Sequence, residues 1–361
     1  MSVINFGQSV SLNEFANAIG TVGKEVTIIG QGEPGIGKSS MLKVLATRYP
    51  DYEVAYIDCT LLDLGDFALP YTESAGDMRV TKFAPNARFK MHSDKPVIVM
   101  LDEIGKAMKA VKNVLLTLML EHRIGDHYLP EGSIVFATTN LAQEGIGDMI
   151  PPHARNRMCV VKIRKPNADE WIDGYALDNG ILPEVILAVK QFPQMFQSFE
   201  DLQDPKDNEY IYDPRLPRPS FVTPRSMDKA SDLLKKTKGM KDDVISHALI
   251  GTIGTRATYD MMAMVKLAQD LPDWETIIKK PTEAHVPDSP SAVCMLVYSA
   301  IQQVEKDNIN KWVEYMNRLP KEAQGLFATS VMRTSKKTTV GTSQGFIKWA
   351  TANNYLFAQS N

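Results

Sequence analysis

A glycine-rich stretch between an apolar run and a helical pattern restricts the fold of this chain more than any other feature. The apolar run VTIIG occupies residues 26–30, and apolar side chains recur at helical spacing from Met41 to Tyr49, where Pro50 ends the pattern. The loop between them contains GEPGIGKSS, which consists of Gly32, Glu33, Pro34, Gly35, Ile36, Gly37, Lys38, Ser39 and Ser40. A strand, a loop of this pattern and a helix, in this order, predict a phosphate-binding loop.

Each part of this loop has a chemical reason. Glycines let the backbone fold around a phosphate with its N–H groups pointing inward, and the helix N-terminus adds positive potential. Lys38 can reach the terminal phosphates of a nucleotide, and the Ser39 hydroxyl can bind Mg²⁺. From average residue usage, the bare pattern arises by chance in roughly one or two per cent of chains of this length. The sequence therefore predicts an ATP site at residues 32–40, with Ser39 as a ligand of Mg²⁺.

Two carboxylates follow the apolar run VIVML, at Asp102 and Glu103. An open parallel sheet binds its ligands at the carboxyl ends of its strands. Asp102 would there hold the Mg²⁺ shell, and Glu103 would orient and polarise the attacking water. P-loop kinases need no second acid, because their acceptor is not water, so the pair favours an ATPase. The alternative is an acidic residue that caps the next helix.

Asn140 ends the next apolar run, IVFATTN. Its amide could position the same water or contact the γ-phosphate. An asparagine after a strand is also a common turn residue. Its place between Glu103 and the later arginines favours the functional interpretation.

Five short β-branched runs alternate with helical patterns over residues 25–163. This alternation is typical of a parallel sheet with helices on both faces. The runs are almost continuously apolar, as strands buried on both faces are. They occupy residues 26–30, 54–58, 97–102, 134–140 and 159–163.

Helical patterns replace strands beyond Lys165, and a proline-rich stretch at residues 279–292 interrupts them. The fold class is therefore α/β, followed by an all-helical part. We expect three domains: an α/β nucleotide-binding core at residues 1–165, a helical lid at 166–290 and a helical extension at 291–361.

Composition argues against several classes of protein, including membrane-spanning and disulfide-rich ones. The 361 residues include 40 basic and 43 acidic side chains, so the formal net charge of −3 does not favour wholesale binding of nucleic acid or of an anionic membrane. No apolar run reaches the ~18 residues of a membrane span. The three cysteines lack CxxC spacing, which speaks against a disulfide framework or a zinc site. We expect a soluble, cytoplasmic protein.

Five motifs together resemble, in order and spacing, the MoxR-like branch of the AAA+ ATPases, particularly its short forms in bacteria and phages. They are GEPGIGKSS, VIVMLDEIGKA, LPEGSIVFATTN, IPPHARNRM and FVTPRSMDKAS. The match covers most of residues 20–265. The resemblance implies a P-loop AAA+ core with a helical lid, a homo-oligomeric ring that is usually a hexamer, and chaperone-like action on a partner protein. In this family the partner often bears a von Willebrand factor A domain.

The resemblance also assigns roles to single residues. It implies a phosphate loop that includes Lys38 and Ser39, a magnesium aspartate at Asp102, a water-activating glutamate at Glu103 and a first sensor at Asn140. The family's cofactors are ATP and Mg²⁺.

The remaining matches concern three positions at which members of the family have an arginine. Arg157 matches the arginine finger, whose planar fork would neutralise charge on the γ-phosphate of a neighbouring subunit, and nearby Arg155 is the alternative. Arg225 matches the second sensor, at a helix start that Pro224 fixes. The branch often has an arginine where this chain has Lys106, which cannot make the same bidentate contacts.

Three functions remain open at this point. The first is a ring ATPase that remodels or activates a protein. The second is a DNA-directed AAA+ protein, a loader or translocase, for which a basic stripe or an added nucleic-acid domain is expected. The third is a nucleotide-gated scaffold that hydrolyses ATP slowly. The charge balance disfavours the second, and Glu103 and Arg157 disfavour the third. A phage-encoded chain would act in the host cytoplasm.

Overall fold

Five parallel strands form the central sheet of residues 1–165, the first of two units into which the chain folds. The computed structural model describes residues 9–141 and 152–356. Each of the five apolar runs overlaps one strand of this sheet. The strands are β1 Ile28–Gly32, β2 Glu53–Asp58, β5 Val97–Asp102, β8 Ile134–Asn140 and β9 Cys159–Lys162. Their order in the sheet is β2-β5-β8-β1-β9. The predicted parallel five-stranded sheet is confirmed.

Helices cover both faces of this sheet. They are α1 Leu12–Val22, α2 Met41–Arg48, α3 Lys109–Glu121 and the short α4 Pro152–Arg155. Successive residues of a strand point to opposite faces. Accordingly, Ile98 and Met100 of β5 lie in one hydrophobic cluster with side chains of α1 and α2, while Val97, Val99 and Leu101 lie in another with side chains of α3. The near-continuous apolar pattern of β5 therefore follows from burial on both sides.

Two antiparallel hairpins extend this unit. One is formed by β3 Ala68–Ala75 and β4 Met78–Pro85, and the other by β6 Arg123–Ile124 and β7 His127–Tyr128. A hydrogen-bonding contact of 2.7 Å joins His127 Nε2 to the backbone oxygen of Phe83. The two hairpins therefore contact each other.

The second unit, residues 166–361, is helical, as predicted. Its helices are α5 Ala168–Trp171, α6 Pro183–Gln191, α7 Pro224–Lys236, α8 Asp242–Ile253, α9 Thr255–Ala268, α10 Trp274–Lys279, α11 Pro290–Gln303, α12 Ile309–Met316, α13 Lys321–Val331, α14 Lys337–Gly341 and α15 Gln344–Ala352. In the described part of the chain, no helix is both long and apolar enough to span a bilayer.

The predicted division of this unit at residue 290 stays a prediction. Buried side chains on both sides of it, from Ala168 to Trp349, belong to one hydrophobic cluster. Pro224 does begin α7, and Thr223 and Ser226 close a reciprocal capping box there.

Candidate functional site

The glycine-rich loop connects β1 to α2 and takes conformations that need glycine. Gly35 has φ 74° and Gly37 has φ 109°, in the region where a side chain is strained. At Gly32, a Cβ atom would lie 2.9 Å from the backbone oxygen of Ile163. Three glycines of the motif are therefore required by the backbone itself.

Lys38 lies inside this loop and is 5% exposed. Its Nζ donates to the backbone oxygens of Gly32 at 2.9 Å and Glu33 at 2.8 Å, and to Asn140 Oδ1 at 2.7 Å. An ammonium group has three protons to donate, so these three acceptors match its capacity. A phosphate that reaches Lys38 would compete with these acceptors.

Asp102, 5% exposed, ends β5 and accepts four hydrogen bonds. Its Oδ2 accepts from Ser39 Oγ at 2.7 Å and from the Tyr56 hydroxyl at 3.0 Å. Its Oδ1 accepts from the Thr138 hydroxyl and from the backbone N–H of Glu103 at 3.1 Å. A buried carboxylate that is hydrogen-bonded on both oxygens is held in one orientation.

Glu103 has φ 55° and ψ 38°, a left-handed conformation that costs roughly 1–2 kcal/mol for a residue with a side chain. Its Oε1 accepts from Asn140 Nδ2 at 2.7 Å. Its Oε2 lies 3.2 Å from Lys106 Nζ, although this ion pair lacks hydrogen-bond geometry. Lys106 therefore contacts the predicted water-activating carboxylate.

The amide of Asn140 has one orientation that satisfies both of its neighbours. Its oxygen faces the ammonium of Lys38, which only donates, and its nitrogen faces the carboxylate of Glu103, which only accepts. A turn residue would not need these two contacts. They support the functional interpretation of Asn140 over the alternative.

The arrangement of side chains fits Mg²⁺ bound together with a nucleotide. Mg²⁺ takes oxygen ligands and is commonly held by one or two protein groups together with phosphates and waters. Ser39 Oγ and Asp102 Oδ2 are such groups and lie 2.7 Å apart. The loop that contains Ser39 also presents Lys38 for phosphate, so these residues would hold the ion and the nucleotide in one place.

Burial shifts the pKa of two residues that lie near charged groups of the site. Lys165 is 7% exposed, and burial lowers its pKa to about 8, although the carboxylate of Glu33 acts in the opposite direction. Burial raises the pKa of the Cys59 thiol, and the negative charge of Asp102 adds to this effect. Cys59 is therefore a neutral thiol beside the carboxylates.

The three predicted arginines differ in exposure and in position along the chain. Arg157 is exposed, Arg155 is half-buried, and Arg225 is an exposed residue in the first turn of α7 in the second unit. The motif that contains Arg155 and Arg157 begins at residue 150, and residues 150 and 151 lie outside the described ones. The roles of these arginines stay predictions.

Two polar residues of the site were missed by the sequence reasoning, Tyr56 and Thr138. Both lie on strands next to β5 and bind Asp102. The available signal was a polar side chain near the carboxyl end of a predicted strand. It identifies a contact only when the order and register of the strands are known.

Comparison with known families agrees with this geometry. The model of the AAA family, the ATPase family associated with various cellular activities, matches residues 28–166. This range starts at β1 and contains the loop, both carboxylates, Asn140 and Arg157. Residues 28–166 are an AAA domain. Such a domain implies nucleotide binding and, in general, ATPase activity, and the predicted AAA+ fold is confirmed.

Solved structures give weaker similarities. NtrX from Brucella abortus is similar over 72% of this chain and 69% of that chain, at 12% identity and a TM-score of 0.34. A RuvB variant from Thermotoga maritima is similar over 76% of this chain and 79% of that chain, at 15% identity and a TM-score of 0.36. Because both TM-scores are low, neither similarity carries an argument. No curated protein matches the AAA-domain chain in sequence. The MoxR-like branch stays a prediction.

We predict that Thr138→Val lowers the stability of the AAA domain by about 1.5–3 kcal/mol, because the buried Asp102 carboxylate loses a hydrogen bond to a charged group. Urea unfolding followed by far-UV circular dichroism measures this change. The matched control is Thr139→Val on the same strand. Thr139 is also buried, and its hydroxyl makes no hydrogen bond to a described residue. Equal stability of the two variants would show that the contact with Asp102 contributes nothing.

Proposed function

We propose that this protein binds ATP with Mg²⁺ at residues 32–40 and hydrolyses it with Glu103 as the residue that activates water. One observation carries the proposal. Lys38 contacts Asn140 at 2.7 Å, and Asn140 contacts Glu103 at 2.7 Å. A single amide thus connects the cation for the phosphates to the carboxylate for the water.

Each residue of the site has one part in the proposed reaction. Lys38 offsets the charge of the β and γ phosphates, and Asn140 holds the terminal phosphate and the attacking water in line. Glu103 accepts a proton from that water as it attacks the γ-phosphorus, the bond from this phosphorus to the bridging oxygen breaks, and ADP leaves with that oxygen. Ser39 and Asp102 would hold Mg²⁺, which neutralises the developing negative charge when bound.

The proposal extends to assembly and to a partner protein. The AAA domain and the exposed Arg157 support a homo-oligomeric ring in which Arg157 completes the site of the neighbouring subunit; the resemblance puts the ring at six subunits. In the same proposal, the ring works in the cytoplasm and remodels or activates a protein, with von Willebrand factor A domain proteins as the first candidates. The net charge of −3 gives no support to a DNA-directed role.

Two substitutions should separate binding from hydrolysis. We expect Lys38→Ala to weaken nucleotide binding by about 10- to 100-fold, because bonds to charged groups contribute about 1.5–3 kcal/mol each. We expect Glu103→Gln to keep the affinity and to lower kcat by about 10²- to 10⁴-fold, because it removes the proton acceptor. Titration of a fluorescent ATP analogue and a phosphate-release assay measure the two effects.

Lys43→Ala, which changes an exposed lysine of α2, is the control for Lys38. Hydrolysis at the wild-type rate by Glu103→Gln would refute the role of Glu103.

Arg157 should act on the site of a neighbouring subunit. We expect Arg157→Ala to bind ATP through its own loop and to lose about 10³-fold or more in kcat, as removal of an arginine finger does. Mixing it with Glu103→Gln should restore activity, because some interfaces then pair an intact Glu103 with an intact Arg157. In a random equimolar mixture this holds for about a quarter of the interfaces.

The same mixing experiment contains its own controls. We expect neither variant to be active alone, and mass measurement of the complexes shows whether mixed rings form. Mixed rings that stay inactive would rule out Arg157 as the residue that acts between subunits. The half-buried Arg155 would then be tested with the same design.

A further inference from the structure

Tyr56, a half-exposed tyrosine on the edge strand β2, contacts a buried carboxylate of the candidate site. Among the described strands, β2 pairs only with β5, and its side chains alternate between the core and the open face. The Tyr56 side chain is on the open face, with 51% of the residue exposed. Its hydroxyl nevertheless lies 3.0 Å from Oδ2 of Asp102, which is 5% exposed.

The register of β2 and β5 explains why the Tyr56 hydroxyl contacts Asp102. Tyr56 lies opposite Met100, and Asp102 is two residues further along β5, on the same face of the sheet. With strands about 4.8 Å apart and a rise of about 3.3 Å per residue, such diagonal neighbours lie roughly 8 Å apart at the backbone, within reach of an aromatic side chain. The contact therefore follows from the strand pairing.

We propose that Tyr56 is a positioning residue of the Mg²⁺ site, an inference that rests on the proposed function. It acts on the same oxygen of Asp102 that accepts from Ser39 at 2.7 Å. The hydroxyl fixes the rotation of the carboxylate, so that this oxygen stays beside Ser39 when the ion binds. Groups that orient a metal ligand in this way typically change metal affinity or activity by about 10- to 100-fold when removed.

Tyr56→Phe tests this role, because it removes the hydroxyl and keeps the ring. The measured quantity is the ratio of the Kd of a fluorescent, non-hydrolysable ATP analogue in EDTA to its Kd in excess Mg²⁺. This ratio reports the coupling between metal and nucleotide without any turnover. We expect the variant to lower the ratio about tenfold, with an unchanged Kd in EDTA.

Tyr71→Phe is the matched control. Tyr71 is also a half-exposed strand residue of the AAA domain, and within the described residues it makes no hydrogen bond to Asp102. We expect it to keep the wild-type ratio. Thermal unfolding of both variants checks that the fold is intact.

The outcomes separate the inference from the proposed function. A lowered ratio in Tyr56→Phe alone supports the inference. A wild-type ratio in Tyr56→Phe overturns it and leaves the proposed function standing. An equal loss of affinity with and without Mg²⁺ also overturns it, because the hydroxyl would then act on the nucleotide. Failure of the wild-type chain to bind the analogue under either condition refutes the proposed function, and the inference with it.

Discussion

The parallel pairing of β5, β8 and β1 brings the main residues of the candidate site together. This pairing places Gly32 opposite Asn140 and Leu101 opposite Ala137, so the loop, the two carboxylates and the amide meet at one edge of the sheet. A slip of one residue would turn each side chain to the other face. The apolar residues that bury both faces of these strands therefore also fix the geometry of the polar ones.

The buried negative charge of Asp102 is stabilised by the hydrogen-bond donors around it. A carboxylate as buried as Asp102 is costly without partners, and its four hydrogen bonds offset that cost. The next residue, Glu103, has a strained backbone and is held by Asn140 and Lys106. Strain of this kind persists when the surroundings enforce it, and it is common at functional sites.

The strands and the main site residues could be predicted because their signals are local. A continuous apolar run identifies a buried strand, and the contiguous residues of the glycine-rich loop identify a phosphate-binding site. The first strand nevertheless begins at Ile28, two residues later than the run suggests. Tyr56 and Thr138 could not be found in this way, because their contacts depend on which strands are neighbours. The hairpin of β3 and β4 has exposed strands with no apolar face that signals them. The role of Arg157 depends on a second copy of the chain.

The most direct measurement is the release of phosphate from ATP by the wild-type chain, in water that carries heavy oxygen. If Glu103 activates water as proposed, phosphate appears only with Mg²⁺, at about 1–10 per second for each subunit, with one labelled oxygen in each phosphate. The same assay with and without DNA shows whether DNA changes the rate. ATP that stays intact with Mg²⁺ present, or a γ-phosphate that is transferred to another acceptor without labelled oxygen, would contradict hydrolysis at this site.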